Sequence, residues 1–200
     1  MKVFFLSITL FAGTVLTAQE NKYASVALVC TQTDYPFGKF AALAGTPRHP
    51  GVEFGYGKSL HSTASKEWFI ELRLSYFYHR YVQHGIPLTI NFGYRHRFGD
   101  QFVLESSLGA GYLHSIPAAG KFKLDENGDY RNNKGLGRAQ VAASFSLGAG
   151  YTVNPSAQKP FTLFTRYEQR IQFPFIKSYV PFLPYNSLYL GVQRPIKKRG

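Results

Sequence analysis

From Lys66 to Pro117 the side chains change character at almost every residue. Trp68, Ile70, Leu72, Leu74, Tyr76 and Tyr78 are large and apolar, and Phe69, Glu71, Arg73, Ser75, Phe77 and His79 stand between them. Ile86, Leu88, Ile90, Phe92 and Tyr94 alternate with Pro87, Thr89, Asn91, Gly93 and Arg95. Beyond Gly99-Asp100, Phe102, Leu104, Leu108, Ala110 and Tyr112 alternate with Val103, Glu105, Ser107, Gly109 and Gly111. Successive side chains of a strand point to opposite faces, so a period of two over this length means strands. Each run is longer than the usual strand of about five or six residues. One face is continuously apolar and ends in aromatics; the other mixes Gly, Ser and charges. This is an inside-out sheet, the pattern of a transmembrane β-barrel.

Composition agrees. The 200 residues suit one domain, and lumen residues dilute the lipid-facing ones to a slightly negative mean hydropathy. The 14 Tyr and 18 Phe suit aromatic belts, and the 19 Gly suit a narrow lumen. Net charge is +12, but the basic residues are dispersed rather than stacked on one element, which argues against nucleic acid. Anionic outer-membrane lipids, lipopolysaccharide among them, are the expected counterparts. Residues 1–19, a lysine followed by an apolar run and then Thr17-Ala18, read as a cleaved signal peptide, leaving 20–200 as the barrel domain. Cys30 is the only cysteine, which rules out an intrachain disulfide.

Further alternating runs lie at 51–60, 138–153, 161–173 and 186–194; 23–32, apolar on both faces, is taken as the first strand because the topology requires an upward strand before 51–60, giving an even total of eight. Residues 33–50, 118–137 and 174–185 read as long loops, and 121–130 as a small hairpin turning at Asn127-Gly128. Short turns belong at the periplasm and long loops outside. That rule sends Trp68, Phe98, Phe102, Tyr151 and Phe161 to the periplasmic rim, and Tyr76, Tyr78 and Tyr112 to the outer one.

These residues resemble the small eight-stranded outer-membrane β-barrel superfamily, with the outer-membrane protein A, X and W types. The glycine-alternating strand Leu108-Gly109-Ala110-Gly111-Tyr112, repeated as Leu147-Gly148-Ala149-Gly150-Tyr151, is similar to strands of such barrels. Thr17-Ala18-Gln19-Glu20 is similar to signal ends of Bacteroidota. The terminal aromatic common in the superfamily is replaced here by a chain that continues past Val192 to Gly200. The resemblance implies an outer-membrane location. It also raises lipid A deacylation or acyl transfer, since some members carry a His and a Ser facing the lipid.

The charged residues Glu53, Glu71, Arg73, Arg95, Arg97, Glu105, Arg166, Glu168 and Arg170 fall on the lumen face. An eight-stranded barrel is filled by its own side chains, so these read as a salt-bridged plug, with a narrow solute channel as the alternative. Glu71, Arg73, Arg95 and Glu105 are expected at similar heights. His49, His79, His84 and His114 fall near the outer rim, and no pair has chelating spacing on one face, so no metal or other cofactor is expected. His114-Ser115 is the nearest approach to an acyl-transfer dyad, but adjacent strand residues face opposite ways. Asp125 to Asp129 lacks the glycine position and distal Glu of a calcium loop. The 174–185 loop, with Phe175, Ile176, Tyr179, Phe182, Leu183 and Tyr185, is unusually apolar. The expectation is a non-enzymatic structural or accessory subunit of a larger outer-membrane assembly, working through loops and wall.

Overall fold

The computed structural model describes residues 22–33, 49–120, 122–125, 127–132, 135–157, 160–175 and 181–196. The signal-peptide reading, Ile176 and Tyr179 lie outside them. Among the described residues ten strands are formed: β1 (Lys22–Thr33), β2 (His49–Ser62), β3 (Lys66–His79), β4 (Gln83–Phe98), β5 (Phe102–Pro117), β6 (Phe122–Leu124), β7 (Tyr130–Asn132), β8 (Arg138–Val153), β9 (Phe161–Phe173) and β10 (Leu183–Ile196). Eight of them close an antiparallel barrel in the order β1-β10-β9-β8-β5-β4-β3-β2. The seam pairs β1 with β10 from Lys22–Ile196 to Thr33–Tyr185. Both described chain ends therefore lie at one end of the barrel, with the turns at 63–65 and 99–101 and the 154–160 connection. This is the turn end; Thr33, His49, the 80–82 turn, Pro117, Arg138, Phe173 and Leu183 lie at the opposite, loop end.

Alternation governs the barrel throughout. On β3 the side chains are buried and exposed at alternate positions along the whole strand. The apolar set faces out: Leu28, Phe54, Leu72, Ile90, Leu108, Leu147 and Leu190 are all exposed. Water does not tolerate such a continuous apolar belt, and a bilayer does. Trp68, Tyr76, Tyr78, Phe102, Tyr112, Tyr151 and Phe161 all lie on this outer surface, at 36% to 59% exposure. Trp68 and Tyr78 sit ten residues apart on one strand. At about 3.4 Å per residue and a tilt near 40°, they stand about 26 Å apart along the barrel axis, close to the thickness of an apolar belt.

Inside, aromatic rings need floor space, and glycines supply it. Tyr23 faces Gly57, Phe69 faces Gly93, and Phe77 faces Gly85 across paired strands. A Cβ on Gly93 would lie 2.3 Å from the Phe69 ring and 2.8 Å from the Ser106 carbonyl oxygen. The rings lie flat on the opposite strand because no side chain stands there.

The small hairpin forms as the sequence indicates. Asp125 Oδ1 accepts hydrogen bonds from the backbone N–H groups of Asn127 and Asp129, at 2.9 and 3.0 Å. Gly128 takes φ +84°, and Arg131 Nε pairs with Asp125 at 2.7 Å. The acidic cluster is thus spent on shaping its own turn. Several boundaries move outward from the sequence reading: β2 begins at His49, β4 at Gln83 and β10 at Leu183. The last change corrects the loop assignment. Leu183 and Tyr185 belong to a strand, and Tyr185 is a buried residue of the barrel interior at 1% exposure.

Candidate functional site

Three layers of side chains occupy the lumen, above a vestibule open at the turn end. At the turn end, Arg95 pairs with Glu105 at 3.0 Å and with Glu67 at 3.4 Å, and Arg97 pairs with Glu67. Ser59 donates to Glu67, and Arg95 Nη2 donates to Gln193 Oε1 at 3.2 Å. The Arg95 guanidinium also lies over the rings of Phe69 and Tyr23, at 4.5 and 5.1 Å. These contacts floor an open vestibule of about 390 Å³, whose lining includes Lys22, Arg97, Asp100 and Pro160.

In the middle layer Arg73 pairs with Glu71 at 2.8 Å and reaches Glu168 at 3.7 Å, while Arg170 pairs with Glu168. Arg166 pairs with Glu53, and Ser75 donates to Glu53 at 2.8 Å. Ser25 donates to Glu71 at 3.1 Å, and Tyr189 donates to Glu168 at 3.2 Å. The Arg166 guanidinium stacks over Tyr189 at 4.3 Å. Five carboxylates (Glu53, Glu67, Glu71, Glu105 and Glu168) therefore meet five guanidinium groups (Arg73, Arg95, Arg97, Arg166 and Arg170). Burying a charge alone is costly, and the equal count avoids that cost.

The loop-end layer is neutral. Gln83 Nε2 donates to Gln172 Oε1 and to Tyr185 Oη, each at 2.7 Å, and Gln172 Nε2 donates to Gln140 Oε1 at 2.6 Å. Ser115 donates to Gln83. Phe77, Leu113, Ala142 and Tyr185 form an apolar plug beside these amides, with Leu183 packed against it.

All nine lumen charges named from the sequence point inward, although Arg97 stands at the mouth with about a third of its side chain exposed. Glu71, Arg73, Arg95 and Glu105, expected at similar heights, divide between two adjacent layers. The register opposes Arg95 to Glu105 on β5 and to Glu67 on β3, so Glu71 and Arg73 fall in the layer above. The sequence reading missed Glu67, which shares the face of Phe69 and Glu71 two residues earlier. It also missed the glutamine layer, because uncharged amides on three separate strands give no local signal.

On the outer face His84 and His114 are paired with tyrosines. Tyr112 Oη lies 2.6 Å from His114 Nδ1, and His114 Nε2 lies 3.0 Å from the Leu136 carbonyl, so the ring ties the long loop to the wall. Tyr76 Oη lies 2.9 Å from His84 Nδ1. His114 and Ser115 face opposite sides, and Ser115 is 2% exposed inside the barrel; they form no dyad. Of the apolar loop residues, Phe182 is exposed and stacks on Phe173, with ring centroids 5.1 Å apart. Phe175 lies beneath the Arg138 guanidinium at 5.6 Å. A recess of about 300 Å³ opens on the wall around Ala143, between Leu108, Phe145, Gln169, Ile171 and Asn186. Among the described residues no three His, Cys, Asp or Glu side chains converge on a metal position.

A scan against protein-family models finds no match, and neither does a search of curated proteins. Solved structures share the fold. The attachment invasion locus protein Ail of Yersinia pestis, solved with a heparin analogue, is 14% identical, with 88% of this chain and 97% of that one covered at a TM-score of 0.47. Neisserial surface protein A is 10% identical, with the same coverage and a TM-score of 0.48. The outer-membrane enzyme PagL is 13% identical, with 87% and 99% covered and a TM-score of 0.44. What the chain's own strand order shows is a closed eight-stranded antiparallel barrel; likeness at this level assigns no activity.

Proposed function

We propose that the protein is a closed, non-enzymatic outer-membrane barrel that acts as an accessory or structural subunit, through its loop end and its lipid-facing wall. The observation that carries this reading is the filled lumen. Ten paired charges, a glutamine layer and an apolar plug occupy the interior. Side chains stacked in this way favour a closed interior over a channel, and this reading gives the work of the chain to its outer surfaces. Those surfaces offer the exposed Phe173–Phe182 pair and the wall recess around Ala143. Short turns at one end and long connections at the other set the loop end outside the cell. Lipopolysaccharide headgroups meet the Tyr76, Tyr78 and Tyr112 rim there, and a larger outer-membrane protein is the proposed partner.

Gentle extraction of the tagged protein from its native membrane, followed by sizing and mass spectrometry, tests this. Stoichiometric co-purification with a larger barrel or lipoprotein is expected, and Phe173→Ser together with Phe182→Ser should release it. A lone barrel of about 20 kDa, the mass of one small domain, refutes the accessory role. The lipid A enzyme reading has no supporting geometry at His114 and Ser115; unchanged lipid A in a deletion strain is expected.

A further inference from the structure

On the outer wall, a row of paired residues climbs the barrel as it circles it. The row that starts at Lys22 on β1 passes through Ile70 on β3 and Asn186 on β10, and it returns to β1 at Gln32, ten residues nearer the loop end. At a strand tilt near 40°, each step between strands climbs about 3 Å. Asn186, five steps beyond Ile70, therefore stands about 15 Å above it. The six residues of β3 from Ile70 to Tyr76 climb about the same distance. Asn186 thus lies level with the loop-end aromatic rim, and Leu108 and Phe145, earlier on the row, lie about 9 and 6 Å below it.

The wall is dented here. Ala143 faces Ala110 on β5 and Ile171 on β9, and the short side chains leave the recess of about 300 Å³ whose lining includes Leu108, Phe145 and Asn186. It is apolar toward the middle of the wall and polar at its rim, the usual make-up of a ligand site. Two polar atoms at that rim have no partner among the described residues: Asn186 Oδ1 and Gln32 Nε2 are both buried without a hydrogen bond, and each residue is 4% exposed. Thr31 and Ser187, next to them in the chain, hydrogen-bond inside the lumen at 2.9 Å, which puts Gln32 and Asn186 on the outer face. The two stand directly across from each other, where opposed Cβ atoms lie about 4.5–5.5 Å apart. One atom accepts and the other donates. Leaving them unmet beside a bilayer is costly. A secondary amide offers both a donor and an acceptor; an ester only accepts.

We propose that the wall recess around Ala143 seats one amide-linked acyl chain of an outer-leaflet lipid, with the amide held at its rim by Asn186 and Gln32. The inference rests on the reading of the lipid-facing wall as a working surface and of the loop end as outside the cell. The chain lies against Leu108, Ala143, Phe145 and Ile171, and the amide reaches the aromatic rim, the depth at which a lipid's chains join its headgroup. There the amide N–H donates to Asn186 Oδ1, and the amide oxygen accepts from Gln32 Nε2. A lipid joined only through esters fills the recess equally well but leaves Asn186 Oδ1 unmet. Selection therefore comes from the linkage and not from the chain.

The test uses folded protein in detergent micelles, mixed with equimolar dipalmitoyl phosphatidylcholine and N-palmitoyl sphingomyelin and read by native mass spectrometry. The two lipids share a headgroup; the second carries a secondary amide where the first carries an ester. A single sphingomyelin should be retained about tenfold over phosphatidylcholine, the ratio expected of two net hydrogen bonds. Asn186→Leu should make the two lipids equal, and Ala143→Phe, by filling the recess, should lower retention of both. Leu72→Phe, on the opposite wall, should change nothing. Folding of each variant is checked by the heat-dependent gel mobility of the barrel. Equal retention of the two lipids by the parent protein, or a preference that survives both Asn186→Leu and Ala143→Phe, overturns the proposal. So does release of the larger protein by Ala143→Phe in the native extraction, which would make the recess a seat for protein. The barrel is tested alone, so a failed lipid preference does not touch the accessory role, and a missing partner protein does not touch the lipid seat.

Discussion

Removing the Glu53 carboxylate alone should damage the barrel more than removing Glu53 and Arg166 together. Both side chains are 1% exposed, and they pair across 113 residues of sequence. Glu53→Leu leaves the Arg166 guanidinium in the lumen without its ion-pair partner and leaves the Ser75 hydroxyl without its acceptor. Breaking one half of a buried pair costs about 3–5 kcal/mol, and Arg166→Met should cost a similar amount by stranding Glu53. Additive behaviour would put the double variant at about 6–10 kcal/mol. Replacing both halves by apolar groups of similar volume is often close to neutral. Here the double variant also forfeits the Arg166 stack on Tyr189, worth about 2 kcal/mol when desolvated. The double variant should therefore fall about 2 kcal/mol below the parent, less than either single. Urea titrations of protein folded in lipid vesicles measure all four corners of the cycle, provided the slopes agree. A double variant equal to the sum of the singles within about 0.5 kcal/mol means no coupling, and it would refute the balanced-plug account.

Gly93→Val should destabilise the barrel by about 1–3 kcal/mol, by driving a side chain into Phe69; Phe69→Ala in the same chain should recover part of that in urea titrations. Wild-type protein in planar bilayers should carry no stepwise conductance, and a resolved unitary current would mean that the layers part. Trp68, the single tryptophan, should emit at blue-shifted wavelength in vesicles and be quenched more by lipids brominated near the headgroup than by those brominated at the chain end. Equal or deeper quenching would move the rim away from Trp68. Ser115→Ala should leave lipid A unchanged in mass spectra while loosening the Gln83 layer; altered lipid A would revive the acyl-transfer reading.

The barrel was legible because its code is local. Alternation along β3, β4 and β5 assigns every side chain to wall or lumen without knowledge of which strands touch, and the runs counted along the chain, with parity for the first, supply the count of eight. Contacts across the lumen carry no such local code. Glu53 with Arg166 and Arg95 with Gln193 meet only once the cylinder has closed. The same holds for Gln32 and Asn186, which stand side by side only because the seam pairs β1 with β10. Tyr185 was misread because Pro174, Pro181 and Pro184 suggest a loop, whereas pairing with β1 and β9 draws the chain into the sheet from Leu183 onward. Proline is tolerated there at the start of a strand.

The chords across the lumen also bear on time. A hydrogen bond between Arg95 and Gln193, or an ion pair between Glu53 and Arg166, demands that the β1–β10 seam be nearly in place before it forms. Such contacts stabilise the finished barrel and contribute little to the transition state that precedes closure, so their weight falls on the rate of unfolding. The plug is in that sense a latch: it does little to hasten assembly, and it sets how long an assembled barrel lasts in a membrane with no energy supply for rebuilding it.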